Sequence, residues 1–121
     1  MITEDYVSFE TAKLLKEKGF DDSLVPVNYG FNTYAPTGIL IMNNPTNSIL
    51  APTLQMAMRW LRDVHKLEIY PYHQNSPTCD KWWFEIVNFP SQVSEYESNT
   101  IYITYEEAAE AGIKYCLNNL I

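Results

Sequence analysis

Apolar residues recur at three- and four-residue spacing in three stretches of the chain, and each stretch is framed by helix start and stop signals. The first predicts a helix over residues 9–18. Ser8 can accept a bond from a free N–H of the first turn, and Val7 and Ala12 occupy the staple positions. Phe9, Ala12 and Leu15, with Leu14 on the shoulder, form its apolar face. Gly19 supplies a left-handed stop, after which Phe20 can fold back on the last turn. The second helix starts at Pro52 or Thr53. Leu54, Ala57, Met58, Leu61 and Val64 face inward, Met56 and Trp60 lie on the flank, and Arg59, Arg62, Asp63 and Lys66 face water. The third opens on a Thr104-x-x-Glu107 capping box. Its buried stripe is Ala109, Ile113, Cys116, Leu117 and Leu120, and Gly112 sits beside it, where a side chain does not fit against a sheet.

Elsewhere the period shortens to two, or the apolar runs are brief. Residues 24–27 and 38–42 read as strands, with Pro26 pointing to an edge. Asn28, Gly30, Asn32, Pro36 and Gly38 favour turns between them, and residues 43–48 form a polar loop. Residues 67–73 and 82–89 read as a hairpin, and residues 100–103 as a further short strand. Hairpins separated by helices predict an α+β fold. The expected architecture is a single domain over residues 1–121, a two-layer sandwich. Its mainly antiparallel sheet has four to five strands, with three helices packed mainly on one face.

Composition narrows the function classes. A chain of 121 residues with 46% hydrophobic and 19% charged residues is globular. Eight basic residues against fifteen acidic ones give a net charge of −7, which argues against nucleic acid as a partner, because a phosphate backbone demands Lys and Arg. No apolar run approaches the ~20 residues of a membrane span, so no membrane association is expected. Acids at Glu4 and Asp5 stand where a signal peptide needs positive charge. A cytoplasmic location follows, in which Cys79 and Cys116 form no disulfide framework.

Three segments carry a resemblance. They are Val7-Ser8-Phe9-Glu10-Thr11-Ala12-Lys13-Leu14-Leu15-Lys16-Glu17-Lys18-Gly19-Phe20, Ala51-Pro52-Thr53-Leu54-Gln55-Met56-Ala57-Met58-Arg59-Trp60-Leu61-Arg62, and Tyr105-Glu106-Glu107-Ala108-Ala109-Glu110-Ala111-Gly112-Ile113-Lys114-Tyr115-Cys116-Leu117. Together they resemble a set of small uncharacterised proteins from phages and prophages of Bacteroides-type gut bacteria. The resemblance covers about a third of the chain. It implies a mobile-element origin and assigns no activity, cofactor or catalytic residue.

Candidate chemistry is sparse. His65, His73, Cys79 and Asp80 are all of zinc-binding type, but their gaps are wider than the paired spacings of zinc sites. No stoichiometric metal and no cofactor are expected. His65 at a helix end is stabilised by the dipole alone. Cys79, beside Asp80 and Lys81 and near His73, is a weak nucleophile candidate, because Asp80 opposes the cation that would lower its pKa. Cys116 reads as packing. Glu106, Glu107 and Glu110 suit a helix start without catalysis. Glu68 and Glu85 fall on facing strands, where like charges call for a partner cation or a register offset. No catalytic residue is assigned.

The hairpin carries the strongest signal. Alternation puts Trp82, Phe84 and Ile86 on one face, and Trp83, Glu85, Val87 and Phe89 on the other. In its partner strand Glu68, Tyr70 and Tyr72 share the glutamate face. An open sheet face bearing Tyr70, Tyr72, Trp83 and Val87 points to a contact surface; the alternatives are ordinary aromatic strand packing or a covering loop such as residues 43–48. The leading expectation is a non-enzymatic interaction protein that forms a homodimer through this face, with a host or phage protein as a further partner. The alternative is a small enzyme or ligand-binding protein using the loop of His73, Cys79 and Asp80. A third class, an acidic protein occupying a nucleic-acid-binding site, is poorly served by such dilute acids.

Overall fold

The structure, a computed structural model, describes residues 5–20, 31–34, 40–41, 49–74 and 80–121. The chain divides into two compact units, Met1–Ala57 and Met58–Ile121. The first holds α1 (Phe9–Glu17), β1 (Phe31–Tyr34), β2 (Leu40–Ile41), β3 (Ile49–Pro52) and the first turn of α2 (Leu54–His65). The second holds the rest of α2, then β4 (Leu67–His73), β5 (Trp82–Asn88), β6 (Ser94–Glu97) and α3 (Tyr105–Tyr115), which continues as a π-helical turn, Cys116–Leu120. The fold is α+β. Among the described residues the strands form two antiparallel sheets of three, in the orders β2-β1-β3 and β4-β5-β6, where the sequence pattern predicts four to five strands in one sheet.

In the first unit the Ser8 side chain accepts from Thr11 N at 3.4 Å, as a cap should. At the other end Phe20 N donates to Leu15 O (3.0 Å) and Gly19 N to Lys16 O (3.2 Å). Gly19 holds a φ of +98°, which completes a Schellman stop and lets Phe20 bury. Thr11, Ala12 and Leu15 are buried, while Phe9 and Leu14 are only half-buried. The ammonium of Lys13 lies 5.2 Å from the Phe9 ring centroid, so this aromatic keeps a cationic cover at the surface. The segment before α1 runs antiparallel to the end of β3, with Val7 N donating to Pro52 O and Leu54 N to Asp5 O. Thr53 Oγ1 accepts from Met56 N at 3.2 Å and so caps α2. Of the two strands predicted here, β2 falls within residues 38–42, and residues 24–27 lie outside the described residues, as does the predicted loop 43–48. β1 occupies a stretch that its Asn and flanking Gly marked as turn.

In α2 the buried residues are Leu54, Met56, Ala57, Trp60 and Leu61, whereas Val64 is 55% exposed and Met58 half-buried. The predicted stripe is therefore rotated. Burying Trp60 and Met56 removes more apolar area from water than burying Val64 and Met58, so the helix turns the larger pair inward. Lys66 alone joins α2 to β4 and adopts a φ of +58°, a left-handed linkage after the helix.

The second sheet contains the predicted hairpin, and the structure sets its register. Ile69 pairs with Ile86, Pro71 with Phe84, Tyr70 with Glu85 and Tyr72 with Trp83. α3 lies on the Ile69–Phe84 side. An ideal Cβ on Gly112 would sit 2.7 Å from Ile69 Cγ2 and 3.3 Å from Phe84 Cδ2, so this helix approaches the sheet as closely as a missing side chain permits. Thr104 caps α3, accepting from Glu107 N at 3.1 Å, while the Glu107 carboxylate accepts from Ile103 N at 3.1 Å, one residue before the cap, rather than from Thr104 N as in the predicted box. The strand expected at residues 100–103 contributes only the bridge of Tyr102 to Trp82. The paired strand is β6, reached through the turn after Phe89, and a register shift lets Tyr96 pair with Ile86 and stack on Tyr115, ring centroids 3.7 Å apart.

Candidate functional site

Pairing in the second sheet sorts the hairpin side chains onto two faces. Cross-strand partners share a face, so Ile69, Ile86, Pro71 and Phe84 lie with α3, and Glu68, Val87, Tyr70, Glu85, Tyr72 and Trp83 lie on the reverse. The predicted grouping of Tyr70, Tyr72, Trp83 and Val87 is thus brought together. Their accessibility differs. Val87 is only 5% exposed, Tyr70 and Trp83 are half-buried, and Tyr72 is 39% exposed. Val87 is thus covered within the chain, and the three aromatics are the accessible part of the face.

The aromatics are ordered by one another. The Tyr72 and Trp83 rings stack at 4.5 Å and 20°, and Tyr70 leans on Tyr72 at 6.3 Å. Such a stack contributes about 0.5–1.5 kcal/mol beyond area burial. Tyr72 Oη donates to Glu85 Oε1 at 3.4 Å. Burial first, and then the neighbouring Glu85 carboxylate, raise the Tyr72 phenol above its ordinary pKa, so it remains a donor at neutral pH.

The glutamates do not face each other as the sequence left open. Glu68 pairs with Val87 and Glu85 with Tyr70, so the two are offset along the hairpin. Arg62 Nε lies 3.6 Å from Glu68 Oε2 and supplies the partner cation. Glu85 instead faces Glu97 across β6, an arrangement alternation within the hairpin could not reveal.

One residue absent from the sequence reading extends the face. Tyr102 bridges Trp82 and sits near Phe84, ring centroids 6.1 Å apart, on the α3 side. Its neighbour Ile101 therefore turns to the reverse, toward the Trp83 side, where it is 53% exposed, and Ile103, in the bend before α3, is 66% exposed. Alternation through residues 100–103 carried this signal.

The backbone of β4 bears on how the sheet can be approached. Gln74 N donates to Lys81 O and Phe89 N to Lys66 O. Hydrogen-bonded pairs alternate in an antiparallel ladder, so Glu68, Tyr70 and Tyr72 direct their N–H groups to β5, while position 71 faces the other edge. Pro71, lacking an N–H, costs no ladder bond there and blunts that edge against strand addition.

The alternative loop site is partly drawn together. His73 Nε2 lies 2.5 Å from Asp80 Oδ1. A carboxylate only accepts, so the ring nitrogen is the donor. The ring lies 5.0 Å from Trp82, and the Asp80 side chain is 91% exposed. Cys79 lies outside the described residues. Among the described residues no three His, Cys, Asp or Glu side chains converge on a metal position. His65 packs edge-on against Trp60 at 4.8 Å. Cys116 is fully buried, and that burial pushes its thiol up to about 12, which leaves it protonated and unreactive. No described helix is long and apolar enough to cross a membrane. No protein-family model, no curated protein and no solved structure matches the chain.

Proposed function

We propose that the chain is a non-enzymatic interaction protein that forms a homodimer through the face of Tyr70, Tyr72 and Trp83, underlain by Val87. The observation that carries this reading is the Tyr72–Trp83 stack at the surface of the sheet, beside exposed Ile101. Contiguous apolar area of this kind favours burial at roughly 25 cal/mol per Å², and aromatic side chains dominate interface cores. Pro71 disfavours growth through the β4 edge. The proposal extends to a cytoplasmic setting, a mobile-element origin supported by the three resembling segments, and a host or phage protein as a further partner. A two-layer arrangement, helices over one sheet face, is part of it and is supported by the close seat of Gly112 on β4 and β5. The test is light scattering on the wild type and on Trp83→Ala, with far-UV circular dichroism as a fold check. A folded, dimeric Trp83→Ala protein rejects this face as the main interface.

A second reading, ligand binding or catalysis at the His73–Asp80 loop, is favoured by the 2.5 Å contact between those side chains. Elemental analysis decides its metal form: about one zinc per chain, lost on His73→Ala, would promote it.

A further inference from the structure

We propose that the second copy docks with its β5 antiparallel to the first, about a two-fold axis crossing the strands at Trp83, so that Lys81 of each copy pairs with Glu85 of the other. This rests on the self-association proposed above and specifies its register. Trp83 and Glu85 stand at alternate positions of β5, and Lys81 immediately precedes that strand at the same spacing. Gln74 N donates to Lys81 O, so the ladder, and with it the alternation, continues to Lys81. A cation and an anion therefore sit on one face at equal distances from Trp83, about 6.6 Å to either side at the rise of a strand.

Of the axes that lie along or across the strands, only one makes that pattern self-complementary. An axis along the strand sets Lys81 on Lys81 and Glu85 on Glu85, which is repulsive. An axis across the strands exchanges positions 81 and 85 and joins opposite charges twice. The same axis runs along an apolar row: Tyr72 pairs with Trp83 on one side, and Ile101 lies on the other, next to the Tyr102–Trp82 bridge. Each member of the row then meets its own copy. Stacked sheets lie ~10 Å apart, a gap that a lysine and a glutamate side chain span together.

Glu85 accepts from Tyr72 Oη but pairs with no cation within the described residues. No ion pair within the chain uses Lys81, Glu85 or Glu97 among the described residues. Glu97 faces Glu85 directly, so the corner that receives Lys81 carries two carboxylates whose mutual repulsion a cation would relieve.

The experiment is a charge exchange read by sedimentation velocity, with circular dichroism confirming the fold of each variant. Lys81→Glu and Glu85→Lys should each weaken the homodimer by roughly tenfold or more at low salt. Mixing the two variants in equal amounts should restore a heterodimer, because position 81 of each then meets its opposite charge. The double variant K81E/E85K should restore a homodimer. The wild-type dimer should also loosen as salt rises from ~50 to ~500 mM, a readout that needs no substitution. Single variants as tight as the wild type, or weakened variants that neither mixing nor the double exchange rescues, overturn this register while leaving the dimer standing. A wild type that stays monomeric overturns the dimer and the register together.

Discussion

Gly112→Ala should destabilise the protein, although alanine is the better helix former. Replacing a mid-helix glycine gains about 1 kcal/mol in helix propensity. Against this, the added Cβ would lie 2.7 Å from Ile69 Cγ2 and 3.3 Å from Phe84 Cδ2. Ordinary carbon contacts are ~3.5–4.0 Å. Neither neighbour yields easily. Ile69 and Phe84 are 3% and 2% exposed, and Cγ2 is bonded to the β-branched carbon of a strand residue, whose rotamer is restricted. Overpacking of this kind costs about 1–3 kcal/mol, and a contact under 3 Å belongs in the upper half of that range. The expected net loss is about 1.5 kcal/mol, or a Tm lower by roughly 5 °C for a chain of this size. Urea denaturation of both proteins measures it. In an Ile69→Ala background the 2.7 Å contact is gone and only the 3.3 Å approach to Phe84 remains, so the same Gly112→Ala change should be close to neutral, giving a clear coupling in the double-mutant cycle. Gly112→Ala more stable than the wild type in the unmodified background would refute the close seat of α3.

Two further outcomes follow from local chemistry. Thr104→Ala removes the acceptor for Glu107 N and should cost about 1 kcal/mol by thermal or urea unfolding; no loss would mean that the cap is dispensable. In a Cys79→Ser background Cys116 should resist a thiol reagent at pH 8 in the folded protein and react once unfolded, because burial holds its pKa near 12; rapid labelling of the native state would contradict its place in the core.

The extent to which the fold was legible varied with how local its determinants are. The stop at Gly19 and Phe20 and the Thr104 cap depend on residues a few positions apart, and both form as read. Strict alternation sorted the hairpin side chains onto two faces and grouped Tyr70, Tyr72, Trp83 and Val87, but the pairing register itself was not legible. Features set by the third dimension were less visible. The rotation of α2 depends on where Trp60 finds room, which periodicity cannot state. β6 is a run of Ser94, Glu95, Tyr96 and Glu97, in which one aromatic alone marks the buried side. Its register set Glu97 against Glu85, and the nearby Tyr102 bridge turned Ile101 to the aromatic side. Of the loop residues, the structure joins His73 to Asp80 across the hairpin end, a contact that seven positions of separation did not imply.

Sedimentation equilibrium of the wild type, run over a concentration series into the tens of micromolar beside Trp83→Ala, tests the self-association most directly. Expected is a mass that rises to twice that of the chain in the wild type and remains monomeric in the folded variant. A wild type monomeric throughout the series would contradict the dimer.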